Sequence, residues 1–466
     1  MTKNKSKLLF YIIGTIAPGL MSLATVPLFS FLLSKEELGL YDLLISSINL
    51  FVPIISLQLG YACYCSAREE PDVSKKVDII KTILVFSIIF HLILFIVSWL
   101  ISPYFDLNYK IHFLFITFSA SFFTVLGLVA RAIDKQKVFV FSSIANAFGI
   151  FIFSALFFYF GKKGIEPIIY AYICTNCLTI GFLIFSLKLH KIIFQGYYNP
   201  RLLQESLHFS LPLIPNALSW WFVNLANRYI ITYYLGVGAN GVFAVATKIP
   251  AILNVCSSIF TLMLQDIAFT DQKIKKDDAY YDLLFKKLFI IQIASSLVIV
   301  AFGKHLTYLL FSPIYAETYR LMPLIMAGSL FANFASFWGI FYQLEKKTTS
   351  ILKTNFYGAI FNCLITLLFI KHIGLYAPAI GTMVGFLVMW LMRMKSKIVH
   401  RKFKLPIRLI TELLCVFFSF SLLILIENLY VTYMLMIASI IILIYSILSI
   451  TSNWKRYFKR KHSTLN

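Results

Sequence analysis

The chain has 466 residues, 59% of them hydrophobic and 13% charged, with a formal net charge of +22. On a soluble protein so basic a surface would point to nucleic acid. At a mean hydropathy of +0.82 the cations read instead as topology determinants facing anionic lipid, which makes membrane lipids the partner and excludes nucleic acid.

A bilayer core needs about 20 apolar residues in helical form, and only helices or closed barrels satisfy the backbone there. About fourteen such helices are expected in chain order, near 8–33, 40–62, 79–104, 111–130, 138–160, 166–187, 209–235, 240–266, 288–311, 321–343, 354–371, 374–392, 408–427 and 430–450. The first follows Lys3, Lys5 and Lys7 and has the outline of a signal peptide. Its apolar stretch is too long for one, and it reads as an uncleaved helix. Basic residues then fill every second gap: Arg68, Lys75, Lys76 and Lys81; Arg131, Lys135 and Lys137; Lys188, Lys191 and Arg201; Lys273 to Lys287; Lys346, Lys347 and Lys353; the 393–408 run and the 455–461 tail. The other gaps hold few cations, such as Lys35, Lys110, Lys162, Lys163 and Arg320. Positive charge stays on the cytoplasmic side, so the pattern predicts a multi-pass, inner-type membrane protein with both termini in the cytoplasm.

The seven cysteines lie in or beside apolar segments, and neither they nor the eight histidines show ligand spacing. Cys174 and Cys177 read as small packing residues, and no disulfide, metal or cofactor is expected.

Landmarks recur at an offset of about 205 residues. Leu33 to Tyr41, with Gly39, matches Leu235 to Phe243, with Gly241; Asn146 to Gly149 followed by Gly164 matches Asn355 to Gly358 followed by Gly374; Asp134-Lys135 matches Glu345-Lys346. The offset moves the chain by six spans, an even number, so the halves share one orientation and the pseudo-twofold axis lies along the membrane normal. The expected architecture is all-α and polytopic, with an N-lobe over 1–187, a basic linker over 188–207, a C-lobe over 208–393, and a linker, helical hairpin and tail over 394–466.

Every loop is short, with no paired carboxylates, nucleophile elbow or phosphate-cradling glycine loop, so the pattern argues against an enzyme. Polar groups at membrane depth are functional candidates because they are expensive there. The span 209–235 carries Asn216, Trp220, Asn224, Asn227 and Arg228 at spacings that form one helical stripe, expected to face a wet cavity. Arg228 and Lys248 sit about 10–13 Å below the outer surface at 1.5 Å per residue, on successive antiparallel helices. Neither has an acidic neighbour within two turns of its own helix, so the pair either receives a mobile anion or snorkels to the outer headgroups. Pro18, Pro27, Pro53, Pro212, Pro215 and Pro250 mark helices that can bend, Pro250 beside Lys248. Glu36, Glu37, Asp42, Glu317 and Arg320 read as solvated groups near the outer ends, and His91, Lys304 and His305 as interfacial groups, with cavity groups the alternative.

The stretch from Leu211 to Ile231, with Pro212, Pro215, Asn216, Trp220, Asn224, Asn227 and Arg228, then Leu235-Gly236, then Gly241 to Lys248, resembles the polysaccharide and O-antigen flippases of the multidrug, oligosaccharidyl-lipid and polysaccharide exporter superfamily. Leu38 to Tyr41 and Arg131-Ala132 share the likeness, which covers about the first 400 residues. The resemblance implies a two-lobed bundle that carries undecaprenyl-pyrophosphate-linked repeat units of O-antigen or capsule to the periplasmic leaflet by alternating access, alongside a polysaccharide polymerase and a chain-length regulator. The polar groups at membrane depth, Arg228, Lys248, Asn224, Asn227, Asn216 and Trp220, are then the expected substrate-binding residues. The resemblance implies an ion-coupled cycle, with H⁺ or Na⁺ as the ion, for which Asp42 is a better candidate carboxylate than Asp266. The alternative energy source is the charge of the lipid moving with the membrane potential. The family often has Asp before the arginine, where Asn227 stands here, so a local Asp–Arg pair is not expected. A cation-lined cavity favours a lipid pyrophosphate over a cationic drug. The alternatives are another lipid-linked or drug exporter of the superfamily, or a membrane-embedded glycan enzyme such as a polymerase.

Overall fold

In the computed structural model the described residues are 17–19, 21, 23–104, 109–270, 278–345, 347–395, 407–426 and 428–463. Lys3, Lys5 and Lys7, the loop cations Lys273 to Lys276, Lys346, and residues 396–406 of the basic linker lie outside them. Every regular element among the described residues is helical, and ten helices are long and apolar enough to cross a membrane, or eleven if one bent pair counts as a span. Ala17–Leu32 and Ile410–Ile424 are shorter apolar helices.

Local chemistry sets the helix ends. Ser34 and Glu37 form a reciprocal capping box at the start of α1 (Lys35–Ile55), which satisfies two donors that a helix start leaves open. Pro53 then removes a backbone donor in the last turn, and the chain breaks at Leu57 and Gln58, both left-handed. Left-handed backbone costs a non-glycine residue about 1–2 kcal/mol, so this break is held by its surroundings. The span expected at 40–62 is therefore two helices, α1 and α2 (Leu59–Glu69).

The chain next forms α3 (Val73–Ile101), α4 (Lys110–Ala132), α5 (Gln136–Tyr159) and α6 (Glu166–Leu187). The expected linker is two short helices, α7 (Leu189–Gln195) and α8 (Pro200–Ser210). Lys81 Nζ donates to the Gly196 carbonyl at 2.6 Å, Tyr197 N–H to Asp78 at 2.7 Å, and Asn199 N–H to Thr82 Oγ1 at 3.0 Å. These bonds tie the linker to the start of α3. The span expected at 209–235 is α9 (Leu213–Leu225) and α10 (Asn227–Leu235), followed by α11 (Val237–Ala246).

Two compact units divide the chain, residues 1–241 and 242–466. The first has a core of aliphatic side chains from α2, α3, α4 and α6, among them Leu59, Cys63, Ile83, Leu126, Val129, Leu183 and Leu187. A polar network crosses the same unit: Asn146 donates to Asn176 and Thr179, and Asn176 donates to Ser119. His91 is buried within α3 and bonded to the Ser87 carbonyl and Ser121 Oγ. It is an interior group, not an interfacial one, because α4 supplies a hydroxyl beside it.

The second unit contains α12 (Lys248–Thr270), α13 (Asp278–Leu310), a 3₁₀ segment (Pro313–Leu321), α14 (Met322–Leu344), α15 (Thr348–Ile373), α16 (Tyr376–Lys395), α17 (Ile407–Leu425) and α18 (Leu429–Ser463). Its core is aromatic. Phe289 stacks on Phe334 at 4.6 Å, Phe285 meets Phe337 at 5.0 Å, and Trp390 packs against Phe331 and Phe334. Helices α17 and α18 pack on α13.

Candidate functional site

The functional candidates of the first unit converge where α1 meets α9, α10 and α11. Gly39 on α1 and Gly241 on α11 make the approach possible. A Cβ on Gly39 would stand 2.0 Å from the Val237 carbonyl oxygen, and one on Gly241 would stand 2.2 Å from the Lys35 carbonyl oxygen. Each glycine thus meets the carbonyl four residues ahead of the other. Small residues permit this close backbone contact between membrane helices. The two landmarks that match one another in the sequence touch each other in the fold.

One turn along from this crossing, Asp42 on α1 faces Arg228 on α10. Arg228 Nε lies 2.7 Å from Asp42 Oδ2, with side chains 7% and 15% exposed. The Nε is buried and lacks the alignment of a hydrogen bond, so the contact is an ion pair. Asn240 donates its side-chain amide to Asp42 Oδ2 at 3.3 Å and to the Gly39 carbonyl at 3.1 Å. Asp42 is therefore no solvated loop group. The reading of Arg228 as a cation without a carboxylate is also corrected. Asn227 replaces the expected adjacent acid, but α1 supplies one from 186 positions earlier in the chain. Breaking a buried pair by removing one partner costs about 3–5 kcal/mol, because the other charge is stranded.

The helix is interrupted beside the cation. α9 ends at Leu225 and α10 begins at Asn227, with the Ala226 carbonyl between them accepting from Tyr229 N–H at 3.1 Å and from Ile230 N–H at 3.5 Å. The break divides the expected polar stripe. Asn216 and Asn224 are half-buried and Trp220 is 42% exposed, whereas Asn227 is 1% exposed. Asn224 donates to the Trp220 carbonyl at 2.8 Å. The stripe leaves out Trp221, which is 7% exposed and donates Nε1–H to the Ser46 carbonyl on α1 at 2.8 Å. Tyr229 stands 5.7 Å from the Trp221 ring, and its hydroxyl meets Ser47. Trp221, Tyr229 and Asn240 are the members of the cluster that the sequence did not reveal, since nothing along the chain links them to α1.

Lys248 belongs to the second unit, half-buried at the start of α12. A bend of 46° separates Val237–Ala246 from Lys248–Ser258. The kink expected from Pro250 is thus present at the lysine itself. Glu37 is committed to the α1 cap, and Glu317 and Arg320 form an exposed pair at 2.9 Å.

Over residues 5–269, more than half of the chain, the sequence matches the family model described as polysaccharide biosynthesis protein. A comparison with curated proteins found no match. Among solved structures, the lipid II flippase MurJ in an inward closed conformation is similar, with a TM-score of 0.71 at 16% identity over 97% of this chain and 99% of that one. A multidrug resistance MATE family transporter of the MOP superfamily, inward-facing, gives a TM-score of 0.65 at 16% identity over 82% of this chain and 94% of that one. Its outward-facing form gives 0.60 at 15% identity, covering 83% and 94%. At these identities the likeness is one of fold.

Proposed function

Because the chain belongs to the polysaccharide biosynthesis protein family, we propose that it is a flippase. It moves undecaprenyl-pyrophosphate-linked oligosaccharide units of O-antigen or capsule from the cytoplasmic to the periplasmic leaflet of a bacterial inner membrane. The observation that carries this reading is the buried Arg228–Asp42 pair beside a helix break. A guanidinium at membrane depth whose counter-charge sits on another helix can trade that carboxylate for a pyrophosphate, and the planar fork suits phosphate oxygens. The fold likeness to a lipid II flippase supports a lipid-linked substrate.

In this reading the end of the first unit that carries Arg68, Lys81, Arg131 and Lys135 is cytoplasmic, and so are both termini. Arg228 and Lys248 receive the pyrophosphate in transit, and Asn216, Trp220, Asn224 and Asn227 line its path. Asp42 is the coupling group, since H⁺ or Na⁺ on its carboxylate removes the counter-charge of Arg228. No bond is made or broken in the substrate, and a polymerase and chain-length regulator act on the exported unit.

The test is leaflet-resolved analysis of lipid-linked intermediates in a deletion strain complemented with variants. Arg228→Gln paired with Asp42→Asn keeps a neutral hydrogen-bonding couple in place of the ion pair, so protein levels stay within about twofold of wild type. Units should accumulate on the cytoplasmic leaflet and surface glycan should vanish. Arg228→Lys should restore part of the export. Normal surface glycan in Arg228→Gln/Lys248→Gln, at normal protein level, sinks the reading.

A further inference from the structure

The Arg228–Asp42 pair has a third member whose amide is only half used. Asn240 of α11 is 0% exposed. Its Nδ2 donates to the Gly39 carbonyl at 3.1 Å and to Asp42 Oδ2 at 3.3 Å. A backbone carbonyl and a carboxylate paired with a guanidinium both only accept, so the amide cannot be turned round without setting its oxygen against two others. The carbonyl end is thereby fixed, and Oδ1 is buried with no hydrogen-bond partner. A buried acceptor left unmatched is costly, so one beside a carboxylate is a candidate ligand for a cation.

The oxygen and nitrogen of an amide are about 2.2 Å apart, which puts Asn240 Oδ1 no more than about 5.5 Å from Asp42 Oδ2. One small cation, alone or with a water, spans that distance and touches both. Carboxylate and amide oxygens are hard ligands that suit hard cations. The Asp42 side chain is 15% exposed, which gives an ion access from water. The other acids of α1 are placed differently: Glu37 closes the helix cap and Glu36 stands beside Gly238. Arg228 holds the carboxylate with Nε 2.7 Å away. A second positive charge at that range is repelled, so the ion pair and a bound cation exclude each other.

We infer that Asp42 and Asn240 form a sodium site that fills when Arg228 turns to the pyrophosphate. This rests on the flippase reading for the anion that draws Arg228 away, and it narrows the ion on Asp42 from H⁺ or Na⁺ to Na⁺. A proton neutralises one carboxylate oxygen, whereas a sodium ion gathers the carboxylate and Asn240 Oδ1 together. By linkage, Na⁺ and the pyrophosphate each raise the affinity of the other by the same factor. A carboxylate is a strong-field ligand and favours the smaller Na⁺ over K⁺.

The test uses the full-length protein in phosphatidylcholine nanodiscs. Binding of radioactive Na⁺ and of geranylgeranyl pyrophosphate is measured in Na⁺, K⁺ or choline at equal ionic strength. Geranylgeranyl pyrophosphate should raise the Na⁺ affinity of wild type at least tenfold. Na⁺ should raise affinity for the lipid by the same factor over choline, with K⁺ at least fivefold less effective. Arg228→Gln should bind Na⁺ at least tenfold more tightly than wild type with no lipid present, and its thermal unfolding should move upward in Na⁺ but not in K⁺. Arg228→Gln/Asp42→Asn should bind no Na⁺ above background. Asn240→Leu, close to asparagine in shape but without the oxygen, should lower the Na⁺ affinity of the lipid-bound protein at least tenfold. Glu205→Gln, which alters an exposed acid on α8, should match wild type within twofold. If Asn240→Leu unfolds, Arg228→Gln in Na⁺ against K⁺ carries the test. A Na⁺ effect that persists in Arg228→Gln/Asp42→Asn overturns the sodium site. Equal lipid binding in Na⁺, K⁺ and choline overturns it too, in favour of a proton, and leaves the flippase reading standing. No binding of geranylgeranyl pyrophosphate in any salt removes the flippase reading. Na⁺ binding to Arg228→Gln then decides the sodium site by itself, and its absence overturns that site as well.

Discussion

Each unit buries an arginine, and the two are balanced in opposite ways. Arg228 faces a carboxylate, Asp42, across a helix break. Arg393 of α16 is 3% exposed and held by oxygens without formal charge: the Ala335 carbonyl at 2.7 Å, Asn355 at 2.8 Å and Thr354 Oγ1 at 3.0 Å. Gly339 makes room for it, since a Cβ there would stand 2.9 Å from its Nη1. A guanidinium solvated by fixed neutral dipoles from α14 and α15 has nothing to exchange and acts as a clamp. A guanidinium held by one titratable carboxylate can be released by protonation or by a competing anion. Of the two, only Arg228 faces a formal counter-charge that a proton or a competing anion can replace.

The largest expected effect breaks the clamp. Arg393→Leu strands the acceptors of Ala335, Thr354 and Asn355 in the interior and should cost about 3–5 kcal/mol. Thermal unfolding should shift sharply downward and membrane levels should fall, with any export loss following the amount of protein. Arg228→Gln/Asp42→Asn should do the reverse and lose export at near-normal levels. If Arg393→Leu folds normally yet abolishes export, the contrast fails and Arg393 belongs to the transport path.

A middling effect belongs to the glycine crossing. With carbonyl oxygens 2.0 and 2.2 Å from the sites a Cβ would take, Gly39→Val or Gly241→Val must part α1 and α11, and Asp42 moves with α1. Export should drop at least tenfold, with alanine milder than valine. A disulfide between cysteines placed at Lys35 and Gly238, where a Cβ would stand 3.6 Å from that of Lys35, should form readily in the wild-type background and poorly with Gly39→Val. Equal cross-linking in both would mean that the crossing does not depend on the glycines.

How much of this was legible can be read from single residues. The helical class, the membrane spans and the bend at Lys248 follow from apolar length and from Pro250, which are local signals. The break at Ala226 has no proline or glycine to announce it, and Asn227 just beyond it is 1% exposed. Asp42 was visible as an acid near a helix end, but its partner was not, because sequence spacing reports only neighbours on one helix. Gly39 and Gly241 stood out as matching landmarks without any sign that they touch. Arg393 reads as the first cation of a basic linker, and its burial depends on acceptors that α14 and α15 bring to it.

The smallest expected effect separates two adjacent tryptophans. Trp221→Phe keeps an aromatic ring against Tyr229 and removes one donor, the Nε1–H bonded to the Ser46 carbonyl. A neutral hydrogen bond contributes about 0.5–1.5 kcal/mol net, and leaving the buried carbonyl unpaired adds to its loss. Unfolding should therefore shift downward by a small, resolvable amount. Trp220 is 42% exposed, so Trp220→Phe should leave stability unchanged and show itself, if Trp220 lines the path, in export alone. A stability loss in Trp220→Phe with none in Trp221→Phe would reverse the two faces of α9 and, with them, the placement of the polar stripe.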